Sequence, residues 1–267
     1  MMASVFRLEL RRSRGLAVWL GLVIVLYSGV IAAFYPVIRD NVKVLEDYMR
    51  VFPQPMLAAF GMEGSLADHG VFFNTYLGSM LWPIVAAIAG AVLGTRTVAA
   101  DLDSGFLELP LATGIDRTRY LAAAIAGQLL VLATLAVLAI AAVLIAGALA
   151  GAGFDAGRFL LTVPVLFLFA CAVAAVASLL SVVSLRRGLS AGVVAGALLA
   201  MYLLDAVSRF DADLEWLGAF SAFRYLRSTS AIDEGVLRYG DLAVFAVVAL
   251  VCWSLAIWLF RRRDLVA

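Results

Sequence analysis

Apolar residues in this chain do not alternate or recur as narrow stripes. They run almost unbroken for about the length of a bilayer crossing, and they do so repeatedly. A hydrocarbon core of about 30 Å needs about 20 apolar residues per helix, and the runs at 16–37, 71–95, 120–150, 159–185, 189–207 and 241–260 meet that requirement. Strands of a transmembrane barrel would be short and alternating, whereas these runs are continuous and rich in Ala, Leu and Val. The pattern predicts an all-α polytopic membrane protein: six transmembrane helices forming a single domain over residues 1–267. The first run follows a basic start but exceeds the ~7–15-residue apolar core of a signal peptide, so it is expected to stay as an anchor.

The polar stretches between the runs are patterned too. Residues 2–15, "MASVFRLELRRSRG", set Phe6 and Leu10 at helical spacing among Arg7, Glu9 and Arg11, which predicts an N-terminal interfacial helix; a bare positive anchor is the other reading. Residues 38–70 contain Pro53, Pro55, Gly61 and Gly64, which break any long helix. Residues 208–240 mix charges with Phe210, Trp216, Phe220, Phe223, Tyr225 and Tyr239, a composition suited to short external interfacial or re-entrant helices. Only Arg186, Arg187 and Gly188 separate the fourth and fifth runs, a tight hairpin that makes the two helices neighbours. On the fifth run, Gly188, Gly192, Gly196 and Ala200 fall on one helical face, where backbones can approach closely within one protomer or between two. Gly90 and Gly94 repeat the pattern more weakly on the second run.

Composition agrees with the pattern: 64% of residues are hydrophobic and 15% charged, against about 45–50% and about 25% in soluble domains. Cys171 and Cys252 lie inside apolar runs and are read as small hydrophobes. The net charge of +1 hides a polarity. With six spans, Arg7, Arg11, Arg12, Arg14, Arg96, Arg117, Arg119, Arg186, Arg187 and Arg261–Arg263 share one side and outnumber its acids, whereas acids dominate the other side. Basic flanks stay inside, so the chain is expected in the cell membrane, multi-pass, with both termini cytoplasmic. The near-neutral total gives no reason to expect a nucleic-acid partner.

Chemistry of its own is hard to find in the chain. The sole lysine, Lys43, lies outside any glycine-rich phosphate loop, and the single histidine, His69, has no second metal ligand nearby; it is read as an ordinary surface side chain. Ser178, Ser181 and Ser184 line one face of the fourth run without a His or Lys in the membrane, so interhelical hydrogen bonding suits them better than nucleophilic catalysis. Asp205 sits near the end of the fifth run and is read as a carboxylate at headgroup level. No catalytic residue and no metal site is expected, and the energy source should be external.

The island between the second and third runs, Arg96 to Tyr120, stands out. Val98, Leu102, Phe106 and Leu109 recur at helical intervals, Asp103 or Ser104 suits the cap of a second short helix, and Asp116 suits the cap of the third span. Here "DLDSGFLELPLATGIDRTRYL" resembles the segment between spans two and three of ABC-2 family permeases, the transmembrane subunits of ABC transporters. The start "FRLELRR" and the ending "LAIWLFRRRDL" are similar to that family's termini. Pro110 stands where the family usually has leucine, and Gly114 where it usually has proline.

The resemblance implies an exporter permease for a hydrophobic or amphipathic substrate such as a drug, lipid or peptide. It would work as a homodimer or heterodimer, in contact with membrane lipids, with separate ATPase subunits that bind ATP and Mg. Ser104, Gly105, Phe106, Leu107, Glu108, Leu109, Leu111, Ala112 and Thr113 match the family's ATPase-contact segment, the cytoplasmic coupling helix. Arg186 and Arg187 would form a second contact, and Arg7, Glu9 and Arg11 would belong to the helix beside the coupling helix. Spans two and five would offer Asn74, Tyr76, Trp82, Met201 and Tyr202 to the substrate path, or use them for helix packing. A membrane scaffold or sensor that recruits a cytosolic partner through the same island remains the alternative reading.

Overall fold

The computed structural model describes residues 2–52, 69–103, 116–153, 155–210, 212–226 and 235–262, together with Leu57, Ala231 and Ile232. Among these residues every regular element is a helix, and 6 helices are long and apolar enough to cross a membrane. The protein is an all-α polytopic membrane protein. The six are α1 (Met2–Asp40), α2 (residues 69–103), α3 (Arg117–Leu149), α4 (Ala156–Ser184, interrupted after Leu160), α5 (Arg187–Ser208) and α6 (Tyr239–Arg262). Short helices at Val42–Met49, Ala212–Phe220 and Ala222–Tyr225 occupy the expected polar stretches.

Helix α4 is the hub, touching α2, α3, α5 and α6, and α1 lies along α3. Buried residues concentrate on α2, α3 and α4. The outer helices α1, α5 and α6 present Trp19, Leu26, Phe34, Leu199, Leu203 and Leu250 at the surface. In water such patches would drive association; against lipid tails they are simply solvated.

Two boundaries differ from the sequence expectation. Residues 2–15 are helical but belong to one unbroken helix with the first span; no proline interrupts the junction, and Gly15 there keeps helical backbone. Span two does not end at residue 95 either: its helix continues to Asp103, burying Thr97, Val98, Ala99 and Asp101 in the bundle. Val98 and Leu102 therefore belong to α2 and not to a separate amphipathic helix.

The α2 rod is heterogeneous. Two π-helical turns, Thr75–Leu81 and Arg96–Ala100, bracket an α-helical centre, Trp82–Thr95. That centre is pressed against α4 at Gly90 and Gly94. A Cβ on Gly90 would lie 2.6 Å from Val173 Cγ1, and one on Gly94 would lie 2.6 Å from the Ala174 carbonyl oxygen. Trp82 completes the contact by donating from its indole Nε1 to the Leu166 carbonyl at 3.0 Å. Trp82→Phe removes that donor while keeping an aromatic ring, and it should cost about 1 kcal/mol, read as a lowered midpoint of thermal unfolding in detergent.

At the far end of the bundle Tyr35 of α1 stacks among His69, Phe72 and Phe73 of α2, with ring centroids 5.3–5.5 Å apart. His69 is thus the capping edge of an aromatic cluster, not an independent surface side chain. The turn between α4 and α5 is as tight as expected, but its left-handed residue is Leu185 (φ 53°), and Gly188 already lies inside α5. Serine hydroxyls hold that turn: Ser184 Oγ accepts from the Arg186 amide at 3.2 Å, and Ser190 Oγ donates to the Arg186 carbonyl at 3.1 Å.

Candidate functional site

The densest charged cluster lies at the base of the bundle, where α1 begins, α2 ends and α3 begins. Asp101 is only 1% exposed. Its carboxylate accepts from Arg12 Nη2 at 2.6 Å and from the Tyr120 hydroxyl, so α1, α2 and α3 meet on one side chain. Arg96 donates to the Arg12 carbonyl at 3.1 Å, and Ser13 donates to the buried Glu9 carboxylate at 3.3 Å. Room for Glu9 comes from Gly127 on α3, where a Cβ would fall 2.8 Å from Glu9 Cγ. Buried charge is tolerated when it is paired and hydrogen-bonded, and here two arginines face two acids.

The clasp has a topological meaning. Asp101 lies just before residues 104–115 and Tyr120 just after them, so their hydrogen bond closes that stretch at its root and Arg12 ties the root to α1. Ser104, Gly105, Phe106, Leu107, Glu108, Leu109, Leu111, Ala112 and Thr113 themselves lie outside the described residues. Arg186 and Arg187 are exposed at the α4–α5 turn, as are Arg7 and Arg11 on α1, whereas Glu9 faces the bundle. Asp116 precedes α3 with extended backbone as an N-cap should, yet its side chain makes no capping bond; Asp116 serves through its carbonyl, which accepts from the Tyr120 amide.

A second polar layer lies deeper. Three consecutive carbonyls of α2 each receive a side-chain donor: Leu93 from Gln128 Nε2 at 3.0 Å, Gly94 from Thr97 Oγ1, and Thr95 from Ser181 Oγ at 3.1 Å. Ser181 Oγ also accepts from the Ala99 amide at 2.8 Å. Gln128 Nε2 reaches Thr97 Oγ1 at 3.1 Å, and Ser178 Oγ lies 3.3 Å from the same hydroxyl. Ser178 and Ser181 are therefore interhelical, as the sequence suggested, and Ser184 joins α4 to α5 through the Ser190 hydroxyl at 2.7 Å while also holding the turn.

The proposed path residues lie in different surroundings. Asn74 and Trp82 are buried in α2, Tyr76 packs on Phe72, and Tyr202 stands against Phe223. Met201 borders a cavity, a space of about 230 Å³ between α4, α5 and α6 with Phe169, Val173, Phe220 and Phe245 in its walls. Asp205 is also not a free headgroup-level carboxylate; it is buried and paired with Arg209 at 2.9 Å. On α5, nothing among the described residues lies within 4 Å of a Cβ placed on Gly188, Gly192 or Gly196. The buried face of that helix is the opposite one, with Ser190, Val194, Asp205 and Ser208. Among the described residues, then, the weaker Gly90–Gly94 pair is the one that seats a neighbour.

Arg12, Asp101, Tyr120, Thr97 and Gln128 were not singled out from sequence as a site. Gln128 carried the clearest signal, an amide in the middle of the run "AAAIAGQLLVLATL", since polar groups inside a membrane helix seek partners. Among the described residues no cluster of three His, Cys, Asp or Glu side chains forms a metal site. No family model and no curated protein matches the chain.

Proposed function

We propose that this chain is the transmembrane permease subunit of an ATP-driven exporter of the ABC-2 type. In this reading it moves a hydrophobic or amphipathic substrate, such as a drug, lipid or peptide, across the cytoplasmic membrane. The observation that carries the proposal is the clasp: one buried carboxylate, Asp101, joins the start of the island, its end at Tyr120 and the N-terminal helix at Arg12. An island rooted in this way delivers a push from a soluble partner to α1, α2 and α3 together and does not dissipate it in a slack loop. The sequence likeness around Ser104 to Thr113 supports an ATPase subunit carrying ATP and Mg as that partner, and the basic residues at this end support a cytoplasmic base of the bundle with both termini on that side. A second permease copy completes the transporter, and the open glycine face of α5 leaves room for one.

Reconstitution tests this directly. The chain should co-purify with an ATPase and raise its turnover in proteoliposomes in the presence of transported substrate. Glu108→Arg should abolish the stimulation while leaving the elution profile and thermal midpoint of the permease unchanged. Partner binding without substrate flux would replace the exporter by a scaffold, and unchanged stimulation in the charge-reversed variant would remove the island from the coupling route.

A further inference from the structure

In an α-helix the Thr95 carbonyl would accept from the Ala99 amide, since the ladder pairs each residue with the fourth one on. In α2 the hydroxyl of Ser181, which belongs to α4, stands between these two groups: it accepts from Ala99 N–H at 2.8 Å and donates to Thr95 C=O at 3.1 Å. The insertion falls on the π-helical turn Arg96–Ala100. A side chain wedged into the ladder is a recognised cause of local distortion, and π turns accommodate one extra residue per turn. The carbonyls just before it, those of Leu93 and Gly94, are occupied by Gln128 and Thr97, so the altered register is satisfied on every side by α3, α4 and α2 itself.

We propose that Ser181 is the latch of a two-register joint at the base of α2. With the hydroxyl inserted, the segment holds the π turn; with α4 drawn away, Thr95 and Ala99 close on each other and the turn reverts to α. Both registers satisfy the Thr95 carbonyl and the Ala99 amide, so the exchange strands neither backbone group of the joint. One residue of register corresponds to about 100° of rotation and about 1.5 Å of rise. Everything beyond Ala100 turns by that order, and Asp101 is the next residue. Withdrawal of Ser181 therefore swings the Asp101 carboxylate away from Arg12 and Tyr120, and the latch and the clasp open as one event. Conversely, a partner that twists the island unseats Ser181 and frees α2 from α4. The joint is a property of the chain itself and holds whatever partner loads the island.

Spin labels on the full-length protein in lipid nanodiscs test the latch without any ATPase. In a background with Cys171 and Cys252 replaced by alanine, labels at Leu102→Cys on α2 and Arg14→Cys on α1 report the rotation as a distance distribution. Ser181→Ala should add a second population displaced by several ångströms. Ser181→Thr should keep the parent distribution, since its hydroxyl can fill the same place, and Ser178→Ala, which removes a neighbouring hydroxyl outside the ladder, should also leave it unchanged. Should Ser181→Ala fail to fold, Ser181→Cys carries the test, because a thiol is a weak donor and acceptor and should populate the second state partially. A parent-like distribution in every folded Ser181 variant overturns the proposal, as does an equal shift in Ser178→Ala. Failure of the ATPase assays alone would leave this result standing.

Discussion

Asp101→Ala is expected to lower the stability of the purified protein by about 3 kcal/mol, near the lower end of the range for breaking a buried ion pair. The loss is large because Asp101 is almost inaccessible and satisfies two donors from two other helices. It stays at the lower end because the Arg12 side chain is 28% exposed and, once stranded, can recover part of its hydration. Asp101→Asn keeps a hydrogen-bond acceptor for Tyr120 but loses the charge, so it should fall between parent and alanine variant. The double variant Arg12→Ala with Asp101→Ala should be more stable than the sum of the single losses implies, since neither charge is left without the other. Thermal unfolding in detergent reads the parent, these three variants and the Arg12→Ala single variant, and midpoints for Asp101→Ala within a degree of the parent would remove the clasp from the interactions that hold the bundle.

The second large effect is a contrast between two glycines that look alike in the sequence. Gly94→Ala should destabilise by about 1–3 kcal/mol, the usual range for overpacking, because the added methyl meets the Ala174 carbonyl and the Ser178 amide, which are backbone and cannot rotate aside. Gly192→Ala meets nothing within 4 Å. Inside a helix it gains alanine's better propensity, worth up to about 1 kcal/mol, so stability should be unchanged or slightly higher. Equal losses at the two positions would contradict the packing of α2 against α4.

The spans themselves were legible because a bilayer allows few solutions: a segment of some twenty apolar residues with every backbone group satisfied internally must be a helix. Their ends were less legible. Arg96 and Asp101 resemble the first residues of a polar loop, but Arg12 and Tyr120 come from elsewhere in the chain to satisfy them, so the helix runs on. A hydropathy pattern registers the charge of Asp101 and is blind to the partner some 89 residues away. The same blindness explains the glycines. Spacing marks a face as smooth without saying whether anything rests on it, and among the described residues the longer ladder on α5 meets nothing while the shorter pair on α2 is filled. Leu185 in a left-handed conformation beside an available Gly188 is a choice made by the serines around the turn, which no propensity records. Of the site, the sequence marked the island's location and Ser181's face, whereas the clasp required the fold.

The 39 residues of α1 measure about 58 Å at 1.5 Å per residue, nearly twice the hydrocarbon thickness of about 30 Å, and its one proline, Pro36, stands close to the far end. Alongside it runs a rod of a different mechanical kind, α2, with a π turn near each end. The two are fastened twice, by Arg12 on Asp101 at the base and by Tyr35 on Phe72 and Phe73 at the far end. While both fastenings hold, a jointed member pinned to a stiff strut keeps its length. If the basal turn winds from π to α, the lower fastening opens with it, the added length emerges at the base, and the aromatic fastening at the far end keeps α2 seated on its stiff neighbour.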